Sequence, residues 1–181
     1  MGTQHDIAEA LRRAVAVFTR RPDRGLHDDV SARAQWQGGM HVAAMHASGI
    51  CIDTDMPAEL GGDGERPSPG WYFRAGIAAC ATTAIAMVAA EQGIVLDRLD
   101  VEVGSRSDAR GLLGMRDAEG VDIEAGPLTM QVAVDLSAAG VDAGRLKRIV
   151  EEGLRRSPMQ AALAGQPAMT VAVSVGKAGA G

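Results

Sequence analysis

The chain of 181 residues carries 18 Lys and Arg against 23 Asp and Glu, a net charge of −5, and has only five aromatic residues. That balance excludes the basic face and the stacking platforms that nucleic-acid binders use, and it offers no charge attraction to an acidic membrane. The 32 alanines and 23 glycines leave one domain whose core must rest on close backbone approach and on Val, Ile, Leu and Met.

Residues 5–20 place Ile7, Leu11, Ala14, Val15 and Phe18 on one stripe, with Glu9, Arg12 and Arg13 off it, the pattern of an amphipathic helix. The basic turn from Arg20 to Gly25 reads as helix-end cations followed by a Pro/Gly stop rather than a phosphate patch. No basic-then-apolar signal pattern opens the sequence, and Asp6 stands where a myristoylation motif wants Ser or Thr, so a cytoplasmic location is expected.

Gly38-Gly39 and Ser48-Gly49 punctuate three runs, about 30–37, 40–47 and 50–55, which predicts a three-stranded meander. A two-residue turn at Ser48-Gly49 would set His46 opposite Cys51. Zinc wants four ligands and none of the usual spacings lies nearby, so no metal site is expected there and Cys51 reads as a packing residue. Two cysteines are too few for a disulfide framework.

Residues 56–70 form a Gly/Pro-rich loop in which Asp63 and Glu65 would repel a phosphate. Ser68-Pro69 then reads as an N-cap with proline in the first helical position, opening a long central helix that runs to about Gln92 and stops at Gly93. Its uncharged run, residues 75–90, falls short of the roughly 20 residues a bilayer needs and reads as a buried helix.

Leu99, Val101 and Val103, and later Leu128, Met130, Val132, Val134 and Leu136, alternate with other residues as half-buried strands do. Residues 107–114 are turn-like, and 115–125 form a polar loop or weak strand. Asp142 caps a helix with Leu146, Ile149, Val150 and Leu154 inward, and Ser157-Pro158-Met159-Gln160 has capping-box spacing before a short helix to Leu163. Met169, Val171, Val173 and Val175 predict a closing strand. A meander, a central helix and then mixed elements, without a βαβ repeat, make the fold class α+β.

Residues 55–62, then Pro67-Ser68-Pro69-Gly70, then Arg74-Ala75-Gly76-Ile77-Ala78-Ala79-Cys80 together resemble the central signature of the OsmC/Ohr family, the osmotically inducible protein C and organic hydroperoxide resistance proteins. The likeness continues through Gly93-Ile94, residues 99–103, residues 108–114 and Ser157-Pro158-Met159. It covers about residues 30–175 of a single domain spanning 1–181, with residues 1–29, the N-terminal helix and linker, outside the common core.

The resemblance implies an intertwined homodimer with the long central helices buried, and sites drawn from both chains. It implies thiol-dependent reduction of organic hydroperoxides: one cysteine attacks the peroxide, a second closes a disulfide, and an external dithiol reduces it. A pocket arginine and glutamate hold the thiolate and organise the peroxide. Cys80 matches the peroxidatic cysteine, and Ser157 occupies the place of the resolving one. Gly70 and Met40 stand where one branch of the family has its glutamate and arginine; the other branch carries its arginine in a less alignable loop, which leaves Arg33 or a basic residue of the N-terminal segment as a weak substitute.

The residues themselves add a physical condition. Cys80 lies about three turns into its predicted helix, beyond the reach of the helix dipole and among Ala, Ile and Thr, so activation needs a cation from another element or chain. Arg74, six residues earlier, points to a different side of the helix. Ser157 reads as a structural cap. Two functions therefore stand: a one-cysteine hydroperoxide-reducing or peroxide-sensing protein using Cys80 with an external thiol, or a non-catalytic dimeric scaffold or small-ligand binder on the same fold. Neither requires a cofactor or a metal.

Overall fold

The computed structural model describes residues 3–165 and 167–175. It opens with α1 (Gln4–Arg20), whose N-cap Thr3 exchanges hydrogen bonds with Asp6 in a capping box. A short 3₁₀ turn, Pro22–Gly25, follows. β1 (Arg33–Gly38), β2 (His41–Met45) and β3 (Cys51–Thr54) form the expected antiparallel meander in the order β1-β2-β3.

Both meander turns differ from the sequence expectation by one residue. The first loop is Gly39-Met40, with Gly38 opposite His41 and a register shift between Trp36 and Gly38. The second is a three-residue loop, with Gly49 in the left-handed region at φ 87° and the His46 N–H donating to the Ile50 carbonyl. Such loops are a common alternative to two-residue turns when a glycine supplies the positive φ. The register becomes Met45 opposite Cys51, so the His46–Cys51 pairing is not formed. His46 instead closes its own turn, its Nδ1 lying 2.7 Å from the Ser48 hydroxyl.

Residues 55–68 carry the chain to the central helix. Asp55 is nearly fully buried, and its carboxylate accepts from the N–H groups of Asp63 (2.8 Å), Met56 (2.7 Å) and Gly64 (3.1 Å). Those bonds hold the carboxyl below the ordinary aspartate range, that of Asp63 most of all. The loop is thereby folded around one acid.

α2 (Pro69–Glu91) starts where Ser68 Oγ accepts from the Trp71 N–H and Pro69 fills the first position. It ends in a Schellman motif: Ile94 N–H to the Ala89 carbonyl and Gly93 N–H to that of Ala90, with Gly93 at φ 67°. At 23 residues this helix is itself long and apolar enough to span a bilayer, so the shorter uncharged run understates it. What marks it as a core helix is its packing: Ile77, Ala81, Ala84, Ile85, Val88, Ala89 and Ala90 are buried within the chain.

β4 (Arg98–Ser107) pairs antiparallel with β5 (Pro127–Ser137), setting Leu99 opposite Leu136 and Val101 opposite Val134. Between them, Asp108 caps the single-turn helix α3 (Ala109–Leu112), and the polar loop closes on one bridge, Arg116 to Asp122. α4 (Ala143–Arg156) is capped by Asp142, whose carboxylate accepts from the Arg145 N–H. α5 (Pro158–Gly165) follows directly.

The core gathers Ile85, Val88, Ala89, Ile94 and Ile149, flanked by Leu99, Val101, Val134, Leu136, Leu146 and Leu154. α2 and α4 cross at Gly153, where a Cβ would come within 2.7 Å of the Ile85 Cα. Arg145, eight residues before Gly153, reaches Gln92, seven residues after Ile85, so the two helices run antiparallel.

The closing strand expected at 169–175 is not formed. Met169, Val171, Val173 and Val175 pair with no strand among the described residues and are 75–89% exposed, because alternation creates an apolar edge but a strand needs a neighbour to hydrogen-bond.

Candidate functional site

Successive turns of α2 align Gly76, Cys80, Thr83 and Met87, spaced three or four apart, on one face. α5 lies against that face, and α4 ends beside it. Between them is a cavity of about 500 Å³ that Cys80 lines together with Thr83 and Met87 from α2 and with Arg156, Pro158 and Met159 from the α4–α5 junction. Its wall is almost wholly apolar. Cys80 is half-buried, neither sealed in the core nor open on the surface, and it forms no disulfide.

Among the described residues, Arg156 is the only charged residue lining the cavity. Its Nε donates to Glu152 Oε1 at 2.6 Å, one helical turn back on α4, and its Nη1 to Glu91 Oε2 at 2.7 Å, at the last residue of α2. Arg155 also clasps Glu152, by two hydrogen bonds of 2.7 Å. Arg155 and then Arg156 bring the Glu152 carboxyl down to about 2, so it is ionised at any ordinary pH. Sequence reading overlooked Arg156. The available signal was the Glu152-to-Arg156 spacing of four residues, which marks a helical ion pair immediately before Ser157.

Ser157 is fully buried, but among the described residues its hydroxyl has no hydrogen-bond partner. The expected cap bond is therefore absent, and the Gln160 side-chain oxygen is likewise unpartnered, so the capping box does not form. The α5 turn is closed by backbone instead, Ala161 N–H to the Ser157 carbonyl. Arg33 opens β1 in an exposed position and is not among the cavity-lining residues, so within one chain it does not meet Cys80. Met40 lies in the first hairpin loop, and Gly70 in the first turn of α2. Cys51 is exposed on β3 rather than packed as its sequence context suggested, because its strand is uncovered at that end, and among the described residues no group of three metal-ligating side chains gathers there or elsewhere.

A family model for OsmC-like proteins matches residues 62–172. The chain belongs to that family. The match includes α2, both cavity-lining helical segments and Ser157, whereas α1 and the meander lie outside it. Three solved structures share the OsmC fold. An organic hydroperoxide resistance protein OsmC from Legionella pneumophila is 24% identical, with 77% of this chain and 92% of that one covered and a TM-score of 0.57. An OsmC-like protein from Mycoplasma pneumoniae is 15% identical over 77% and 90% of the two chains, with a TM-score of 0.63. An organic hydroperoxide resistance protein from Elizabethkingia anophelis is 20% identical over 77% and 91%, with a TM-score of 0.56. No curated protein sequence matches significantly.

Proposed function

We propose that this OsmC-family chain reduces organic hydroperoxides, with Cys80 as its one attacking thiol and an external thiol as reductant. The observation that carries this reading is the placement of Cys80 on the wall of a large apolar cavity. A thiol there meets a substrate with a hydrocarbon body, and the cavity exceeds what hydrogen peroxide needs.

In the first step the ionised Cys80 sulfur attacks the terminal oxygen of R′O–OH. The S–O bond forms as the O–O bond breaks, giving the sulfenic acid, and the departing alkoxide takes a proton from water to become R′OH. A small thiol then condenses with the sulfenic acid, releasing water and leaving a mixed disulfide. A second thiol molecule attacks that disulfide, restores Cys80–SH and leaves as the oxidised disulfide. Ser157, having no thiol, takes no part in this exchange, and Cys51 lies outside the cavity.

The working unit in this proposal is a homodimer. A single chain exposes 13492 Å², whereas a compact monomer of 18.7 kDa exposes about 8,300 Å². The excess includes Trp36, Ile50 and Ile52 on the meander and Leu112, Leu113 and Leu128 around the β4–β5 connection.

The test is intact-mass analysis after one equivalent of cumene hydroperoxide. Wild type gains a single oxygen or, with added thiol, a mixed disulfide, and Cys80→Ser gains neither. Equal, slow adducts in both proteins would sink the reading. A second reading, a dimer that binds a small apolar ligand without turnover, is favoured by the scarcity of polar groups in the cavity. It expects no oxygen adduct and unchanged dimerisation in Cys80→Ala.

A further inference from the structure

Among the described residues the cavity has one thiol, Cys80 on α2, and one charged hydrogen-bond donor, Arg156 on α4. Arg156 has five N–H groups. Two are taken by Glu152 and Glu91, leaving three without a protein acceptor among the described residues. The two carboxylates fix the guanidinium from opposite elements, α4 and the end of α2. Together with Arg155 they form a cluster of two cations and two anions, so Arg156 brings uncommitted donors to the cavity wall within a group of no net charge.

That combination suits a neutral oxygen that acquires negative charge during reaction better than it suits a preformed anion. A hydroperoxide is such a group: its leaving oxygen becomes an alkoxide as the O–O bond breaks. Fixed donors beside that oxygen lower the barrier because they need no reorganisation when the charge appears.

We propose that Arg156 is the residue that holds a hydroperoxide against Cys80, donating from its uncommitted N–H groups to the peroxide oxygens, and that Glu91 is a positioning residue that keeps the guanidinium on the cavity wall. This rests on the hydroperoxide reading above. It assigns the substrate-holding role to the α4–α5 junction and gives none to Arg33.

The experiment is single-turnover oxidation of Cys80 by cumene hydroperoxide, followed by mass spectrometry, in wild type, Arg156→Gln, Arg156→Lys, Glu91→Ala and the Arg156→Gln/Glu91→Ala double variant. Arg156→Gln is expected to slow oxidation about tenfold or more, with partial recovery in Arg156→Lys. Alkylation of Cys80 by iodoacetamide, which has no leaving alkoxide, stays within about twofold of wild type. Glu91→Ala slows oxidation in the wild-type background and adds nothing in the Arg156→Gln background, because its effect passes through the guanidinium.

Wild-type oxidation rates in Arg156→Gln, or an equal slowing of alkylation and oxidation, would overturn the assignment while leaving the hydroperoxide reading intact. Additive losses in the double variant would remove Glu91 from the scheme. Absence of oxidation in wild type would remove both the reading and this inference. Should Arg156→Gln fail to fold, Arg156→Lys decides, since it keeps a cation for both carboxylates but loses the branched donor set: an undiminished rate overturns the proposal and a diminished one with normal alkylation supports it.

Discussion

The β1–β3 meander and the body formed by α2, α4, β4 and β5 are built from equally regular local signals, yet only the body is finished within one chain. β4 and β5 turn Leu99, Val101, Val134 and Leu136 onto α2 and α4, around the fully buried Ile149 and Ile85. The meander is hydrogen-bonded strand to strand, but no other element of its chain packs extensively against it, and Trp36 is 74% exposed. Three short strands gain little from pairing alone and need a covered apolar face. The difference teaches that turn chemistry sets which strands pair, whereas burial sets whether the pairing is stable, and the two need not be supplied by the same chain.

The largest expected effect tests the completeness of the body. In Gly153→Ala the new methyl would meet the Ile85 backbone at 2.7 Å for Cα and 2.9 Å for N, so the helices must part. A loss of about 3 kcal/mol is expected by urea unfolding. A variant as stable as wild type would show that the α2–α4 crossing is looser than described.

The next effect falls on the meander. Changing Trp36 and Ile52 together to Asp should leave the secondary structure of the body intact by circular dichroism, while sedimentation shows the proposed dimer dissociating at least about tenfold more readily. Unaltered association would place the second copy elsewhere.

A smaller change, of opposite sign, is expected at Ser157. Its buried hydroxyl is unpartnered, so Ser157→Ala should raise stability by about 1 kcal/mol, read from the urea midpoint at unchanged slope. Destabilisation would reveal a hydrogen-bond partner supplied by the assembled protein.

The smallest effect is conditional on pH and lies at the joint between the two regions. The Asp55 carboxyl is held below its ordinary range in the folded state, so its ionised form contributes stability that is complete above the unfolded-state value and is lost as pH falls through the folded value. The difference between wild type and Asp55→Asn should be full at neutral pH and shrink below about pH 4. A difference that persists unchanged into strong acid would mean that the loop is held by something other than this charge.

Much of this architecture was legible locally. Ser68-Pro69 and Gly93 bounded α2, Asp142 opened α4, and the alternation at 99–103 and 128–136 marked β4 and β5, because caps and periodicity act over a few residues. The registers of the meander were one residue off, since a glycine at position 49 serves a three-residue loop as readily as a two-residue turn. The strand expected at 169–175 failed for a different reason: its apolar alternation is present, but among the described residues no strand pairs with it.

The candidate site was half legible. Cys80 could be singled out by its family context, but Arg156 could not, because it lies 76 residues away and matters only where α4 and α5 meet α2.

The sequence by itself determined the fold class, the limits of the long helices, the two alternating strands β4 and β5 and the family, all of which follow from short-range chemistry and from motif order. Only the tertiary structure decided that Ser157 lacks its cap hydrogen bond among the described residues, that within one chain Arg33 does not line the cavity of the thiol, and that Arg156, clamped by Glu91 and Glu152, shares that cavity with Cys80. These depend on which helix faces meet, and that is settled by packing around Ile85 and Gly153 rather than by any local signal.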